Sequence, residues 1–357
     1  MTKTKLGLYI GLATICCVLS AGLAAAQTLL WTAPQKYDDG VDSSIAVHAS
    51  GLILEFHQSH AIGSFDIWYH VGMLNGTGVT WGGSQSMGQT GSWPTVALTK
   101  EGYVIVVWST GQFKSGSELR YRVGKIDPYG GINQSITWLL DYAFWDAGFH
   151  SSIAVNDSGV IVGVHETGNS STGMYYRVGH LTDPAAGNYS VTWDSGFYGI
   201  HYDDGINPHI ALNNRNEVVE VHQVSGENLL HYRRGTVSGG TINFAGSQRY
   251  DNNANRPAAA LLDTGLVVEF HANAGLFTRT GRLSPSNPAG IEWSNSVNID
   301  IDRSTFPAVA TNGASVLATW EYYFDLTGKL FYSVARIPEV LRAQKAGLNE
   351  IGTGVKD

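Results

Sequence analysis

The chain repeats itself, and the repeat limits what it can fold into. Strand-ending aromatics recur at Trp31, Trp81, Trp138, Trp193, Phe244 and Trp293, at intervals of 50, 57, 55, 51 and 49 residues. After each comes a turn and a short strand opening on Ser or Pro: SSIAV at 43, PTVAL at 94, SSIAV at 151, PHIAL at 208, PAAAL at 257 and PAVAT at 307. A second strand carries an E-x-H pattern in its clearest copies, and a third reads roughly L-x-Y-R-V-G. These segments alternate apolar and polar residues, the period of a half-buried strand, with turn formers between them. Four strands in about 50 residues is the period of a propeller blade. The expected fold is all-β, a six-bladed β-propeller of four-stranded antiparallel blades. TLLWT at 28–32 has outer-strand character with no inner strand before it, and the last repeat stops after LFYSVARI. The N-terminal strand is therefore expected to close the ring, which removes open sheet edges. A solenoid or a row of sandwiches fits the equal repeats less well.

Residues 1–26 carry two lysines, an apolar run and a small-residue A-x-A ending, the layout of a cleaved signal peptide. The propeller is expected over 27–337, and 338–357 as a C-terminal tail or short helix starting near Pro338. Export is implied, to the extracellular space or periplasm, with no membrane span in the mature chain. Both cysteines, Cys16 and Cys17, fall in the leader, so no disulfide or thiolate site remains. After Ala26 there are 20 basic and 30 acidic residues, which speaks against a nucleic-acid partner.

Two sets of polar residues repeat. In the second strand the aligned position holds His57, Trp108, His165, His222, His271 and Trp320. Two residues earlier, on the same face, stand Glu55, Val106, Gly163, Glu220, Glu269 and Ala318. The turn before each inner strand supplies Asp38, Gln89, Asp146, Asp203, Asp251 and Asp302. Every repeat with His has this Asp, so Asp38 with His57, Asp146 with His165, Asp203 with His222 and Asp251 with His271 read as structural pairs that fix the imidazole. No H-x-H or H-x₃-H spacing accompanies them, and no metal or other cofactor is expected. YDDGVD at 37 and YDDGIN at 202 hold enough carboxylate to keep calcium in view. On the third strand Arg122, Arg177, Arg233 and Arg279 share a position with His70 and Ser333. These arginines and the Glu residues read either as cross-strand salt bridges or as sugar ligands in grooves between blades.

With Arg, Glu and Trp recurring in six repeats, the chain resembles the repeat-built propeller lectins and is similar to the fucose-binding six-bladed lectins, whose sugars sit between blades. The resemblance covers the repeats at the level of architecture and residue type. It implies a secreted carbohydrate-binding protein rather than an enzyme, with repeated sites at Glu55, Arg122, Arg177, Glu220, Arg233, Glu269 and Arg279 and glycans or glycoconjugates as partners. Two other classes stay open. A propeller hydrolase or lyase acting on polysaccharide needs one asymmetric site at the axis, for which Asp141, Glu166 and Asp204 are the non-repeated acids. A protein-interaction scaffold needs an apolar rim. The S-x-D-x-G-x-x-W box of sialidases, a nucleophile elbow, a P-loop and a dinucleotide fingerprint do not occur in the sequence.

Overall fold

The second strand of each repeat is apolar enough to be covered on both faces, and Leu52–Gln58 and Leu266–Ala272 are buried at every position. The computed structural model describes residues 28–60, 64–111, 116–169, 171–182, 187, 189–196, 198–300, 304–324 and 327–343. The leader, Asp302 and the end of the tail lie outside the described residues. The architecture is an all-β propeller. In every repeat the first strand pairs with the second and the second with the third, all antiparallel. The inner strands stand around one central channel, lined among others by Ser44, Thr95, Ser152, His209, Ala259 and Ala308. Apolar clusters fill the spaces between neighbouring sheets, as where Leu54 and Phe56 pack with Val104, Val106 and Trp108.

The expectation of six separate four-stranded blades is corrected by the hydrogen bonding. The strands form five sheets, one of four strands, three of five and one of eight. The extra strands arise because the outer strand breaks after its aromatic. Asp66–Asn75 pairs first with Gly78–Trp81 and then with a separate segment, Gln85–Thr90. Leu230–Ser238 and Leu276–Leu283 do the same with their own two segments. The aromatic before the break lies flat on a third-strand glycine. A Cβ on Gly72 would sit 2.7 Å from Trp81 Cε3, and one on Gly281 2.6 Å from Trp293 Cε3, so the repeated Gly of L-x-Y-R-V-G is the counterpart of the repeated Trp.

The eight-stranded sheet exists because one outer strand does not break. Thr137–Val155 is a single 19-residue strand. Its first half pairs with Glu118–Lys125 and its second half with Val160–Thr167, which joins two repeats in one sheet. The N-terminal segment does pair with the last repeat, though not mainly through residues 28–32. The strand that pairs with Thr327–Arg336 is Gln35–Asp39, whereas residues 28–32 contribute an isolated bridge from Trp31 to Ala335. After Pro338 comes a short helix, Glu339–Ala343, with Ile337 and Leu341 buried against Leu29 and Trp320. No helix among the described residues is long and apolar enough to cross a membrane.

Candidate active site

Each inner strand starts with a β-bulge, seen as a register shift between Val41 and Ser44, Ser92 and Thr95, Phe149 and Ser151, Ile206 and His209, Asn255 and Ala258, and Thr305 and Ala308. Bulges re-aim side chains and recur beside active sites. At each bulge one residue is left-handed: Asp42 at φ 56°, Trp93 at 51°, His150 at 41°, Asn207 at 52°, Arg256 at 51° and Phe306 at 48°. None is glycine, and holding a side chain there costs on the order of 1–3 kcal/mol each. In four cases the next residue is proline, which bars its predecessor from the right-handed helical region and has no N–H to lose. These half-buried side chains line a shallow cavity of about 110 Å³ at one mouth of the channel. The scaffold repeats, yet this one position carries an acid, an amide, an imidazole, a guanidinium and two aromatic rings. The mouth is therefore asymmetric.

A second ring of residues holds the first. In three repeats the residue after the His or Trp of the second strand, Glu166, Gln223 or Glu321, reaches the bulge of the next repeat. Glu166 Oε1 accepts from the Asn207 backbone N–H and from His150 Nδ1, both at 2.8 Å. Glu321 Oε2 accepts from the Asp42 backbone N–H at 2.8 Å. Both carboxylates are buried, at 2% and 3% exposure, although neither lines the cavity. The bond to Glu166 places a proton on His150 Nδ1 and leaves Nε2 buried with no partner among the described residues. Arg256 stacks 3.7 Å from the Phe306 ring centroid, and Trp93 meets His150 edge-on at 4.3 Å.

Burial pushes Asp42 up to about 6, against the charges of His150 and Arg256 and the Trp93 indole N–H. Burial, and then the charge of Asp42, push Glu321 up to about 8, against the Asp42 N–H and Arg256. At neutral pH the pair thus keeps one proton, held on Glu321, while Asp42 is a carboxylate facing the cavity. A larger hollow of about 330 Å³ lies at the opposite end of the channel. Its asparagines are committed to turns and to one another, as Asn156 is to the Ser158 and Val160 N–H groups and to Asn216. The smaller mouth is therefore the candidate site.

The repeated polar residues sit elsewhere, inside the sheets. Glu55, Glu220 and Glu269 are fully buried. They accept from Tyr37, Tyr202 and Tyr250 at 3.0, 3.1 and 2.9 Å, and from Nδ1 of His57, His222 and His271 at 3.0, 2.9 and 3.0 Å. Across the paired positions, Nε2 to Asp Oδ2 measures 3.7 Å for Asp38 and His57, 3.3 Å for Asp146 and His165, and 3.9 Å for both Asp203 with His222 and Asp251 with His271. Asp146 with His165 is hydrogen-bonded; in the other three repeats the Asp instead meets His70 at 2.6 Å, Arg233 at 2.8 Å, or Arg279. Arg122 donates to the Met87 carbonyl and lies over Trp138, and Arg177 donates to the Trp145 and Gly196 carbonyls. In the third repeat Trp145 fills the space of the missing Glu, since a Cβ on Gly163 would sit 2.4 Å from Trp145 Cζ2.

Of the three non-repeated acids, Asp141 and Asp204 have side chains 75% and 71% exposed. Glu166 alone reaches the mouth. The bulge residues escaped the sequence reading, yet they stand immediately before the Ser or Pro that opens each inner strand, reading Asp, Trp, His, Asn, Arg, Phe down the repeats. A variable residue inside an otherwise regular repeat was the available signal.

No family model matches the chain, and no curated protein matches it. Solved structures do. Trypanosoma rangeli sialidase superposes with a TM-score of 0.57 at 13% identity, over 86% of this chain and 56% of that one. A Hadza microbial sialidase gives 0.54 at 10% identity, over 84% and 66%. The GH93 alpha-L-arabinofuranosidase of Fusarium graminearum, in complex with arabinobiose, gives 0.53 at 12% identity, over 87% and 97%. The chain spans little more than half the length of the T. rangeli enzyme. At such identities the likeness shows the fold alone, a β-propeller. The lectin expectation is corrected on two grounds: these neighbours are named as glycoside hydrolases, and the Glu residues that were to line sugar grooves are fully buried and bonded.

Proposed function

We propose that the mouth is the active site of a glycan-cleaving hydrolase, in which Asp42 and His150 flank the scissile bond. The observation that carries the reading is the ring of strained bulges, where a repeated backbone position presents side chains that do not repeat. One reaction needs one site, and the symmetry of the scaffold is broken here. The sialidases and the arabinofuranosidase of like fold support the choice of a glycosidic bond.

In this reading Asp42, ionised above about pH 6, takes the proton of the attacking water. His150, held through Nδ1 by Glu166, acts in its doubly protonated form and gives the Nε2 proton to the leaving oxygen, and the proton taken by Asp42 returns through solvent to reset the pair. The pair supplies the base and the acid that hydrolysis requires. Trp93 and Phe306 offer ring faces for the apolar side of a sugar, and Asn207 and Arg256 offer donors for its hydroxyls. Glu321 is a positioning residue. Neutral, it lets Asp42 keep its charge, and its Oε2 holds the Asp42 backbone in place. Export of the chain, read from residues 1–26, suits an enzyme acting on external polysaccharide.

The test is incubation with a panel of neutral and acidic polysaccharides and aryl glycosides, scored for new reducing ends. Release of reducing ends without an unsaturated, ultraviolet-absorbing product is the expected result. Unsaturated products would mean elimination instead, and glycans bound but uncut would sink the proposal.

Glu321 also gives a stability signature. Its folded value of about 8 stands above the ordinary 4.5, so between these values the folded state binds more protons than the unfolded chain. Stability contributed by Glu321 is therefore full at low pH and lost as pH rises through this window. Glu321→Gln cannot ionise and keeps an acceptor for the Asp42 N–H. Its melting temperature is expected to match wild type near pH 4 and to exceed it by several degrees near pH 8. Scanning calorimetry at the two pH values decides this, and a difference that ignores pH would contradict it.

A further inference from the structure

We propose that the first repeat binds a divalent transition-metal ion, zinc by ligand chemistry, between Nε2 of His57, Nε2 of His70 and Oδ2 of Asp38. The two Nε2 atoms stand 3.7 and 2.6 Å from Asp38 Oδ2, one ligand atom of each residue lies within 4.8 Å of the others, and no other such group occurs among the described residues. The sequence reading expected no metal because no short His spacing is present. The ligands here come from three strands of two neighbouring sheets: Gln35–Asp39, which pairs with Thr327–Arg336, and Leu52–Gln58 and Asp66–Asn75, which pair with each other.

The two imidazoles are oriented as metal ligands are. His57 donates through Nδ1 to Glu55 at 3.0 Å, and His70 through Nδ1 to the Gly82 carbonyl at 2.9 Å. Each Nε2 is thereby turned toward Asp38, with the outer hydrogen bond to a carboxylate or carbonyl that ligating histidines normally make. The His side chains are 3% and 6% exposed and that of Asp38 is 28% exposed. The cluster opens on the Asp38 side, where a water completes a four-coordinate shell.

Charge balance singles out this repeat. Cross-strand register sets Glu220 opposite Arg233 and Glu269 opposite Arg279, so the two acids of those repeats, with Asp203 and Asp251, share a permanent guanidinium charge. In the first repeat the same register sets Glu55 opposite His70. Glu55 and Asp38 then have no permanent cation beside them. A divalent ion restores the balance by displacing the proton shared in the 2.6 Å contact of Asp38 with His70 to solvent. The site shares no residue with the channel mouth, and its test is independent of the hydrolase reading.

The experiment is calorimetric titration of zinc chloride into the chelator-stripped full-length protein near pH 7.5, with melting temperatures measured in parallel. Wild type is expected to take up one zinc ion per chain and to gain melting temperature. His70→Arg rebuilds the guanidinium pairing of the fourth and fifth repeats; it is expected to melt no lower than metal-free wild type and to bind zinc at least about 100-fold more weakly. Asp38→Asn, at the most exposed ligand, is expected to weaken zinc binding about 10-fold or more. The proposal is overturned if wild type takes up no stoichiometric zinc, the contact then being a plain His–Asp ion pair, or if both variants bind as tightly as wild type.

Discussion

Asp42→Asn is expected to lower kcat by about 10²–10⁴-fold, the usual contribution of a positioned general base, while KM stays within a few-fold. Asparagine matches aspartate in volume and tolerates the left-handed backbone of the bulge, where Asp42 has φ 56°. Its backbone N–H still reaches Glu321. The substitution therefore removes the carboxylate without disturbing the fold. A loss of binding instead of turnover would place Asp42 in substrate recognition. The companion change, Glu321→Gln, leaves the catalytic atoms in place. It is expected to keep the rate near pH 7 within a few-fold and to abolish any decline in rate that ionisation of Glu321, with its value of about 8, produces.

Glu220→Ala is expected to cost about 3–5 kcal/mol in chemical denaturation, the scale for breaking a buried charged network on one side only. Glu220 is fully buried. It accepts from Tyr202 and His222, and all three lie behind the sheet surface. Burial alone would push His222 down, but the charge and hydrogen bond of Glu220, aided by Asp203, outweigh it and raise His222. Truncation leaves an imidazole and a phenol without their acceptor. Glu220→Gln keeps an acceptor and is expected to lose much less. If Glu220→Ala were as stable as wild type but bound glycans poorly, the internal-network reading would be wrong.

The repeat and the strand order within it follow from local alternation and spacing, so they were legible. The sheet count was not, because it turns on whether one outer strand breaks. Trp81 is followed by Gly82 and Gly83, which let the chain leave the sheet, whereas Trp138 is followed by Leu139, Leu140 and the strand-forming Tyr142 and Phe144, which keep it in the sheet. His165 does meet Asp146, but in the other three His repeats the hydrogen-bond partner was misjudged. Strand alternation already put Glu220 and His222 on one face two residues apart, nearer than any residue of a turn, and the hydrogen bond forms there. The mouth was hidden for a different reason. Aligning repeats rewards what is constant, and the bulge residues are the ones that change. Glu166 and Glu321 follow the same logic, standing where other repeats have Gln58, Ser109, Gln223 and Ala272.

The most direct test is the rate of glycan cleavage by wild type across about pH 4 to 9, beside Asp42→Asn at each pH. The site described here predicts a wild-type rate that climbs through about 6 as Asp42 ionises, and a variant that stays low throughout with no such limb. A wild-type enzyme whose limb near 6 survives intact in Asp42→Asn would place the chemistry away from the channel mouth.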